Sequence, residues 1–422
     1  MILMLAKESV KNYGEQLEKY ADYVATQIAK TIEVAGGGRP SGYEQEHKAQ
    51  DYVIEHMTGT ADEVRTEGFT LHPKAFMGWV LIDGICMLIA AILLIIYFFV
   101  NPIKALPIIA LVLTVISVAC ILGEFLFYKQ FLDPLFPAKN AKNVICTRKA
   151  AGETKRRIIF SGHVDSAWEW RYTYLGGGRC LTAVIATGIV CLVADLVIVL
   201  LATFGVAATW FLVVGKIFAI ITIPAMILII FFMNWSICVD GANDNLSGVF
   251  ASMAVMQFLA DNDIRFENTE VISISMSSEE AGLRGAKAFA KAHAKEYADS
   301  GVETIAICTD TLRDFDDMGI YNKDMTGTVK LDAKVAGLVK EASNIAGLNL
   351  PYANVFFGSS DAAALAQGGM KACCLAAMDP TPARYYHTRL DTADNLDKRT
   401  IAAGVNTLLE AAFLFDEKGL DY

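Results

Sequence analysis

Arg157-Ile158-Ile159-Phe160-Ser161-Gly162-His163-Val164-Asp165 decides the reading of this chain. It is a short apolar run of the kind that forms a buried strand, ending on an imidazole and a carboxylate two residues apart. The arrangement recurs. Residues 270–275 lead through Met276-Ser277-Ser278 into Glu279-Glu280, and residues 304–308 lead into Asp310. Asp244 stands in Gly241-Ala242-Asn243-Asp244-Asn245-Leu246-Ser247-Gly248, just ahead of a helical pattern, and His387 in Tyr385-Tyr386-His387-Thr388-Arg389-Leu390-Asp391-Thr392. Each element alone is ordinary: an acid before a helix is a common cap, and paired glutamates often begin a solvated helix. Gathered at the ends of neighbouring strands, they have the layout of a two-metal hydrolase. Adjacent like charges there cost stability unless a cation lies between them or one acid holds its proton. At His163 the useful arrangement is imidazole as ligand, with Asp165 hydrogen-bonding its second nitrogen.

Around these motifs the chain alternates strand and helix. Strands are expected at residues 64–71, 143–148, 157–161, 270–275, 304–308 and 372–376, with helices at 8–34, 41–57, 246–261, 282–297, 331–346 and 392–417. The expected fold class is α/β, a mixed and largely parallel central sheet flanked by helices, with sites at the strand ends. Ser41 reads as an N-cap and Glu44 as its capping-box partner. The triplet Gly36-Gly37-Gly38 lacks a following Gly-Lys-Ser/Thr, so it reads as a turn rather than a phosphate loop.

Composition points to lipid. Of 422 residues 54% are hydrophobic and 19% charged, with mean hydropathy +0.39. Two pairs of long apolar stretches, 78–100 with 105–127 and 180–204 with 206–233, each have about the 20 residues a helix needs to cross a bilayer. One such stretch could be a buried core helix; four in two close pairs read as two transmembrane hairpins. The organisation expected is therefore an α/β domain in three parts, 1–77, 129–179 and 235–422, interrupted by hairpins at 78–128 and 180–234. Asp195 and Lys216 flank the Gly205 turn at similar depth and are expected to pair, while Asp83 and Glu124 are placed near water at the open ends of the first hairpin. Lys74, Lys129, Lys139, Lys142, Arg171 and Arg179 flank the open ends and only Lys104 a tip, so the large domain of this multi-pass membrane protein is expected on the cytoplasmic side.

A formal net charge of −10 without clustered Lys and Arg argues against nucleic acid. Nine cysteines, mostly within apolar runs and without a CxxC pair, read as buried thiols in a reducing compartment. The brief apolar start, Met1 to Ala6, is too short for a signal-peptide core. His47, His56, His72 and His293 have no acidic partner at useful spacing and read as surface residues.

The series His-x-Asp, Gly-Ala-x-Asp-Asn-x-Ser-Gly, Glu-Glu-x-Gly-x-x-Gly, Asp and His-Thr-x-x-Asp-Thr resembles the co-catalytic di-zinc aminopeptidases of metallopeptidase family twenty-eight. That family also holds glutamate-carboxypeptidase-like enzymes and glutaminyl cyclases. The resemblance covers the chain outside the hairpins and implies a zinc-exopeptidase-like fold with two zinc ions. It implies Asp244 as the bridging ligand, His163 and Asp310 completing one site, Glu280 and His387 the other, Glu279 as general base and Asp165 as the orienter of His163. Arg39-Pro40-Ser41-Gly42 and Ser359-Ser360-Asp361 match recurrent loops of the fold and are assigned packing and loop support. The connection from Asp165 to Asp244 is longer than the family's usual one, because the second hairpin is inserted there. The site is therefore expected near the bilayer, with Trp168, Trp170, Tyr172 and Tyr174 as interface or lid residues. The function implied is a membrane-anchored aminopeptidase acting on short peptides. The alternatives are a glutaminyl-cyclase-like or carboxypeptidase-like zinc enzyme and, in a different class, an inactive binding protein on a peptidase fold.

Overall fold

The computed structural model describes residues 5–355 and 357–421. The chain divides into two compact units, one of Met1–Pro73, Ala138–Trp168 and Ile237–Tyr422, the other of Lys74–Pro137 and Glu169–Ser236. In chain order the elements begin with α1 (Ala6–Ser9), α2 (Tyr13–Ala35), α3 (Glu44–Met57), β1 (Glu63–Leu71), α4 (Ala75–Phe99) and α5 (Ala105–Cys120). There follow β2 (Lys139–Arg148), β3 (Arg156–His163), β4 (Trp168–Trp170), α6 (Arg171–Thr203), α7 (Thr209–Ile230) and β5 (Met233–Cys238). The rest is α8 (Ser247–Asp261), β6 (Thr269–Met276), α9 (Arg284–Asp299), β7 (Glu303–Leu312), β8 (Met318–Asp324), β9 (Val329–Lys330), α10 (Ala333–Ile345), β10 (Tyr352–Asn354), α11 (Asp361–Gln367), β11 (Ala372–Ala377) and α12 (Lys398–Lys418).

The first unit is built on a nine-stranded sheet, ordered β1-β2-β6-β3-β7-β11-β8-β10 with β9 beside β8. Strands β6, β3, β7 and β11 run parallel, and β2 and β8 run against them. It is the expected mixed, largely parallel sheet. The C-terminal ends of the parallel strands lie side by side, which brings His163, Glu279 and Asp310 to one edge of the sheet.

Strand β3 is central, with Ile158 opposite both Val271 and Ile305. Ile158, Ile159 and Phe160 are fully buried. Burial on both faces is why the strand reads as a continuous apolar run rather than an alternation. Phe160→Ala in such packing costs about 3–5 kcal/mol. Helix α8 covers this strand closely: a Cβ on Gly162 would fall 2.3 Å from the Val249 nitrogen, and one on Gly248 2.2 Å from the Thr309 carbonyl oxygen. Those two glycines let the turn carrying Asp244 sit directly over the strand ends.

All six expected strands form. Strands β8 and β10 were not expected, because Met-Gly-Ile-Tyr-Asn-Lys-Asp and a three-residue segment carry no sustained period, and only pairing with β11 and β8 makes them extended. Ser41 does not cap α3: its hydroxyl donates to Asp165 Oδ2 at 2.7 Å, and Glu46, not Glu44, accepts the Gly42 N–H at 2.6 Å. The last helix starts at Lys398 rather than residue 392, because Asp397 accepts the Arg399 N–H at 2.9 Å and caps it there.

In the second unit four helices, Ala75–Phe99, Ala105–Leu126, Arg171–Thr203 and Thr209–Ile230, are long and apolar enough to cross a membrane. Ala90, Ala110, Ala202 and Ala219 are buried together with Leu94, Ile198, Val199 and Phe211, while Ile89, Ile109, Val193 and Ile220 are 43–56% exposed. Large apolar side chains on the outside are compatible with helices packed in lipid. Helix α6 bends at Gly177, where φ is +67°.

The charges of this unit differ from expectation. Among the described residues no ion pair joins Asp195 to Lys216: Lys216 Nζ lies 5.1 Å from the Phe99 ring centroid, and both Asp195 carboxylate oxygens are buried without a hydrogen-bond partner. Asp83 and Glu124 are also buried, and Glu124 Oε1 accepts the Leu132 N–H at 2.8 Å. Equal counting from a turn gives depth but not the face of each helix, and here the faces do not meet. Trp170 and Tyr172 are likewise buried, the Tyr172 hydroxyl donating to the Leu228 carbonyl at 2.8 Å.

Candidate metal centre

The residues singled out in five separate stretches converge. His163 ends β3 and is 2% exposed; its Nε2 lies 3.2 Å from Asp244 Oδ1, 3.8 Å from Glu279 Oε2 and 3.9 Å from Asp310 Oδ1. His387, in the loop before α12, has its Nε2 3.0 Å from Asp244 Oδ2 and 3.1 Å from Glu280 Oε1. Asp244 thus stands between two groups, one carboxylate oxygen toward each imidazole. One ligand atom each from His163, Glu279 and Asp310 lie within 4.8 Å of one another, and the same holds for Asp244, Glu280 and His387.

The electrostatics match a buried, crowded set of acids. Burial, with Glu280 and Asp310 beside it, raises the Glu279 carboxyl well above the usual range, although His163 pulls the other way. Burial likewise pushes Asp310 up to about 7. At His387 burial opposes a charged ring, but Glu280 and Asp244 outweigh it and raise the pKa to about 10. Asp244 moves down despite burial, because both imidazoles donate toward it. Without a cation this many acids can share the space only by holding protons or borrowing the imidazolium charges. Two imidazoles and several carboxylates, each offering an atom toward a common point, are donors that suit zinc.

Asp165 contacts more than the His163 ring. His163 Nδ1 is 3.2 Å from the Asp165 main-chain oxygen and 3.5 Å from its Oδ1. The Asp165 carboxylate, fully buried, accepts the backbone N–H of Glu279 at 2.9 Å and of Glu280 at 3.0 Å. It therefore links the His163 strand to the Glu-Glu turn. Arg39 is also fully buried: Nε donates to the Val164 carbonyl at 2.6 Å, Nη2 to that of Gly241 at 3.0 Å, and Nη1 to that of Asp240. It pins the loop after His163 to the loop before Asp244.

Three acids near the centre went unassigned or under-assigned in the sequence. Asp391 accepts the backbone and side-chain N–H groups of Asn243 at 2.8 and 2.7 Å and the backbone N–H of Asp244 at 3.0 Å. Its position four residues after His387 was the available signal. Asp361, assigned to loop support, is buried beside the cluster, and burial pushes its carboxyl up to about 7 against the pull of His163. Glu46 is fully buried at the Ser277-Ser278 turn, yet in the sequence it is one charge among several in a polar helix. The Tyr386 ring stacks on His387, centroids 3.9 Å apart at 21°, and the Tyr385 hydroxyl donates to Asp314 Oδ2 at 2.7 Å. His293 is not a lone surface residue: its Nε2 lies 2.8 Å from the Glu67 carboxylate. His387, Ser278 and Thr311, each within one residue of the cluster or part of it, have positive φ, +52°, +58° and +46°.

The fold and this centre define an α/β protein with a buried group of imidazoles and carboxylates at the ends of its parallel strands. Residues 230–412 match the model of Peptidase family M28. The matched stretch holds Asp244, Glu279, Glu280, Asp310 and His387; His163 and Asp165 precede it. Three solved structures share the fold, each with a TM-score of 0.54. A leucine aminopeptidase precursor from Bacteroides thetaiotaomicron is 13% identical, covering 93% of this chain and 96% of its own. A glutaminyl cyclase from the same organism, bound to N-acetylhistamine, and a Zn-dependent exopeptidase from Parabacteroides distasonis are each 14% identical, covering 93% of this chain and 97% of their own. Comparison with curated proteins by sequence gives no match.

Proposed function

We propose that this protein is a membrane-anchored di-zinc aminopeptidase that removes N-terminal residues from short peptides. The observation that carries the reading is the placement of Asp244, whose two oxygens lie 3.2 and 3.0 Å from imidazoles of separate ligand groups. His163 and Asp310 would hold one zinc ion, Glu280 and His387 the other, with Asp244 shared. When bound, zinc supplies positive charge that polarises a scissile carbonyl and makes water a nucleophile near neutral pH. Glu279, buried among acids and therefore a strong proton acceptor when ionised, takes the proton of the attacking water at its carboxylate and delivers it to the leaving amine nitrogen. Asp165 holds the backbone of Glu279 and Glu280, so base and ligand keep a fixed separation. Asp391 and Arg39 hold the Asp244 loop against the His163 loop.

Four apolar helices with large side chains outward support a lipid bilayer as the setting, and the excess of Lys and Arg at the open ends of the hairpins supports a cytoplasmic peptidase unit. Protease protection in sealed vesicles tests the sidedness; a peptidase unit digested only from the outer face of the cell overturns it. Glu279→Gln should lower hydrolysis of aminoacyl substrates by about 10²–10⁴-fold with the zinc content kept. Hydrolysis retained in that variant refutes the role of Glu279. A glutaminyl cyclase of this fold has the same scaffold, so substrates with N-terminal Gln belong in the assay. Pyroglutamate formation without peptide cleavage would replace the aminopeptidase reading.

A further inference from the structure

The turn that carries Glu279 and Glu280 leaves β6 in a conformation its own sequence does not favour. Ser278 is not glycine, yet its φ is +58°. The carbonyls of this turn are engaged by the start of α9: Glu279 O accepts from Gly282 N and Leu283 N at 2.8 and 2.7 Å, Ser278 O from Arg284 N at 3.0 Å, and Ser277 O from Gly285 N at 2.9 Å. The Ser277 N–H donates to Asn143 Oδ1 on β2 at 3.0 Å, whereas those of Ser278, Glu279 and Glu280 find no partner in the sheet. Two buried carboxylates receive them. Asp165 accepts those of Glu279 and Glu280 at 2.9 and 3.0 Å, and Glu46 accepts that of Ser278 at 2.8 Å.

Glu46 holds more than that one group. Its Oε1 also accepts the hydroxyl of Ser277 at 2.7 Å and that of Ser278 at 3.2 Å, while its Oε2 accepts the Gly42 N–H at 2.6 Å. The neighbouring Ser41 hydroxyl donates to Asp165 at 2.7 Å. Three successive N–H groups are therefore divided between two acids, and those acids are tied to each other through Ser41-Gly42. A carboxylate suits the position because every partner is a donor. Glutamine there would turn an NH2 group toward an N–H or a hydroxyl. No cation neutralises Glu46 among the described residues, so its only service in the structure is to these donors.

We propose that Glu46 is a positioning residue for Glu279: it fixes Ser278 in its left-handed conformation and so sets the direction in which the Glu279 carboxylate leaves the turn. The proposal rests on the reading of Glu279 as the base. A misplacement of the order of 1 Å at such a group costs about 10²-fold in rate.

The test compares full-length wild type, E46Q, E46A, E279Q and E46A/E279Q, purified in detergent and loaded with zinc. The expected result is that E46A lowers kcat by about 10²-fold with KM and zinc content unchanged, E46Q lies between it and wild type, and E46A adds no further loss in the E279Q background. A proportional loss in both backgrounds, or a kcat unchanged in E46A, overturns the proposal. E46Q keeps the test decisive if E46A does not fold. Amide exchange is read independently of turnover: E46Q should speed exchange at residues 278–280 and leave 243–247 unchanged, and equal protection in wild type and variant overturns the clamp. If wild type cleaves nothing, the aminopeptidase reading fails while the exchange result still decides the role of Glu46 in holding the turn.

Discussion

Asp391 accepts the backbone N–H of Asp244 at 3.0 Å, so the residue placed between the two ligand groups is itself held from the loop that supplies His387. One loop thereby sets two members of the cluster: it brings one imidazole and also positions the carboxylate beside it.

That relationship makes Asp391 sensitive to substitution. Asp391→Ala would leave three buried donors, on Asn243 and Asp244, without their acceptor, at about 1–3 kcal/mol for each unsatisfied group. Zinc affinity should fall about 10–100-fold, the usual cost of losing a group that orients a metal ligand. Zinc titration with thermal unfolding checks both; an unchanged affinity refutes the link between the loops.

Metal removal should destabilise the first unit more than the second. The crowded acids that burial pushes up, Asp310 to about 7 among them, gain their counter-charge from a cation. Zinc at 1,000 times its dissociation constant would stabilise the folded state by about 4 kcal/mol. Chelator should therefore lower the unfolding temperature reported by probes in the sheet, with little change for probes in the four apolar helices. A chelator-insensitive sheet would contradict a metal centre.

A pH dependence follows from Asp62 on the loop before β1. Its bidentate pairing with Arg265, at 2.6 and 2.9 Å, lowers its pKa from 3.8 to about 2, against a small opposing effect of burial. A depressed pKa stabilises the fold above the unfolded value and loses that contribution as pH falls through the folded one. Asp62→Asn should therefore cost up to about 1 kcal/mol at neutral pH, the scale of a screened surface pair. The difference from wild type should vanish between about pH 4 and pH 2, measured by denaturant unfolding across that window. A difference that grows toward acid would reverse the assigned sign.

In the apolar helices Asp195 and Lys216 should behave independently. Since no ion pair joins them, a double-mutant cycle of Asp195→Asn and Lys216→Ala should give a coupling energy below about 0.5 kcal/mol, as for separated sites. Asp195→Asn should not destabilise, because a neutral amide replaces a buried carboxylate that has no partner. A coupling of several times that size would restore the pair that spacing suggests.

The sequence by itself determined the sheet's parallel strands, the four apolar helices and the residues that gather at the centre. Both kinds of information are local there: an apolar run ending on an acid marks a strand end, and 20 apolar residues mark a helix for lipid whatever its neighbours. Tertiary structure alone decided how those residues are held. Glu46 is a surface-like charge in a polar helix until α3 lies against the Ser277-Ser278 turn, and Ser41 is a helix cap until Asp165 takes its hydroxyl. Asp195 and Lys216 look like partners until the helices rotate them apart. Hydrogen bonds and ion pairs depend on direction within a few tenths of an ångström, and residue spacing carries the distance along an element but not the face it presents to the next.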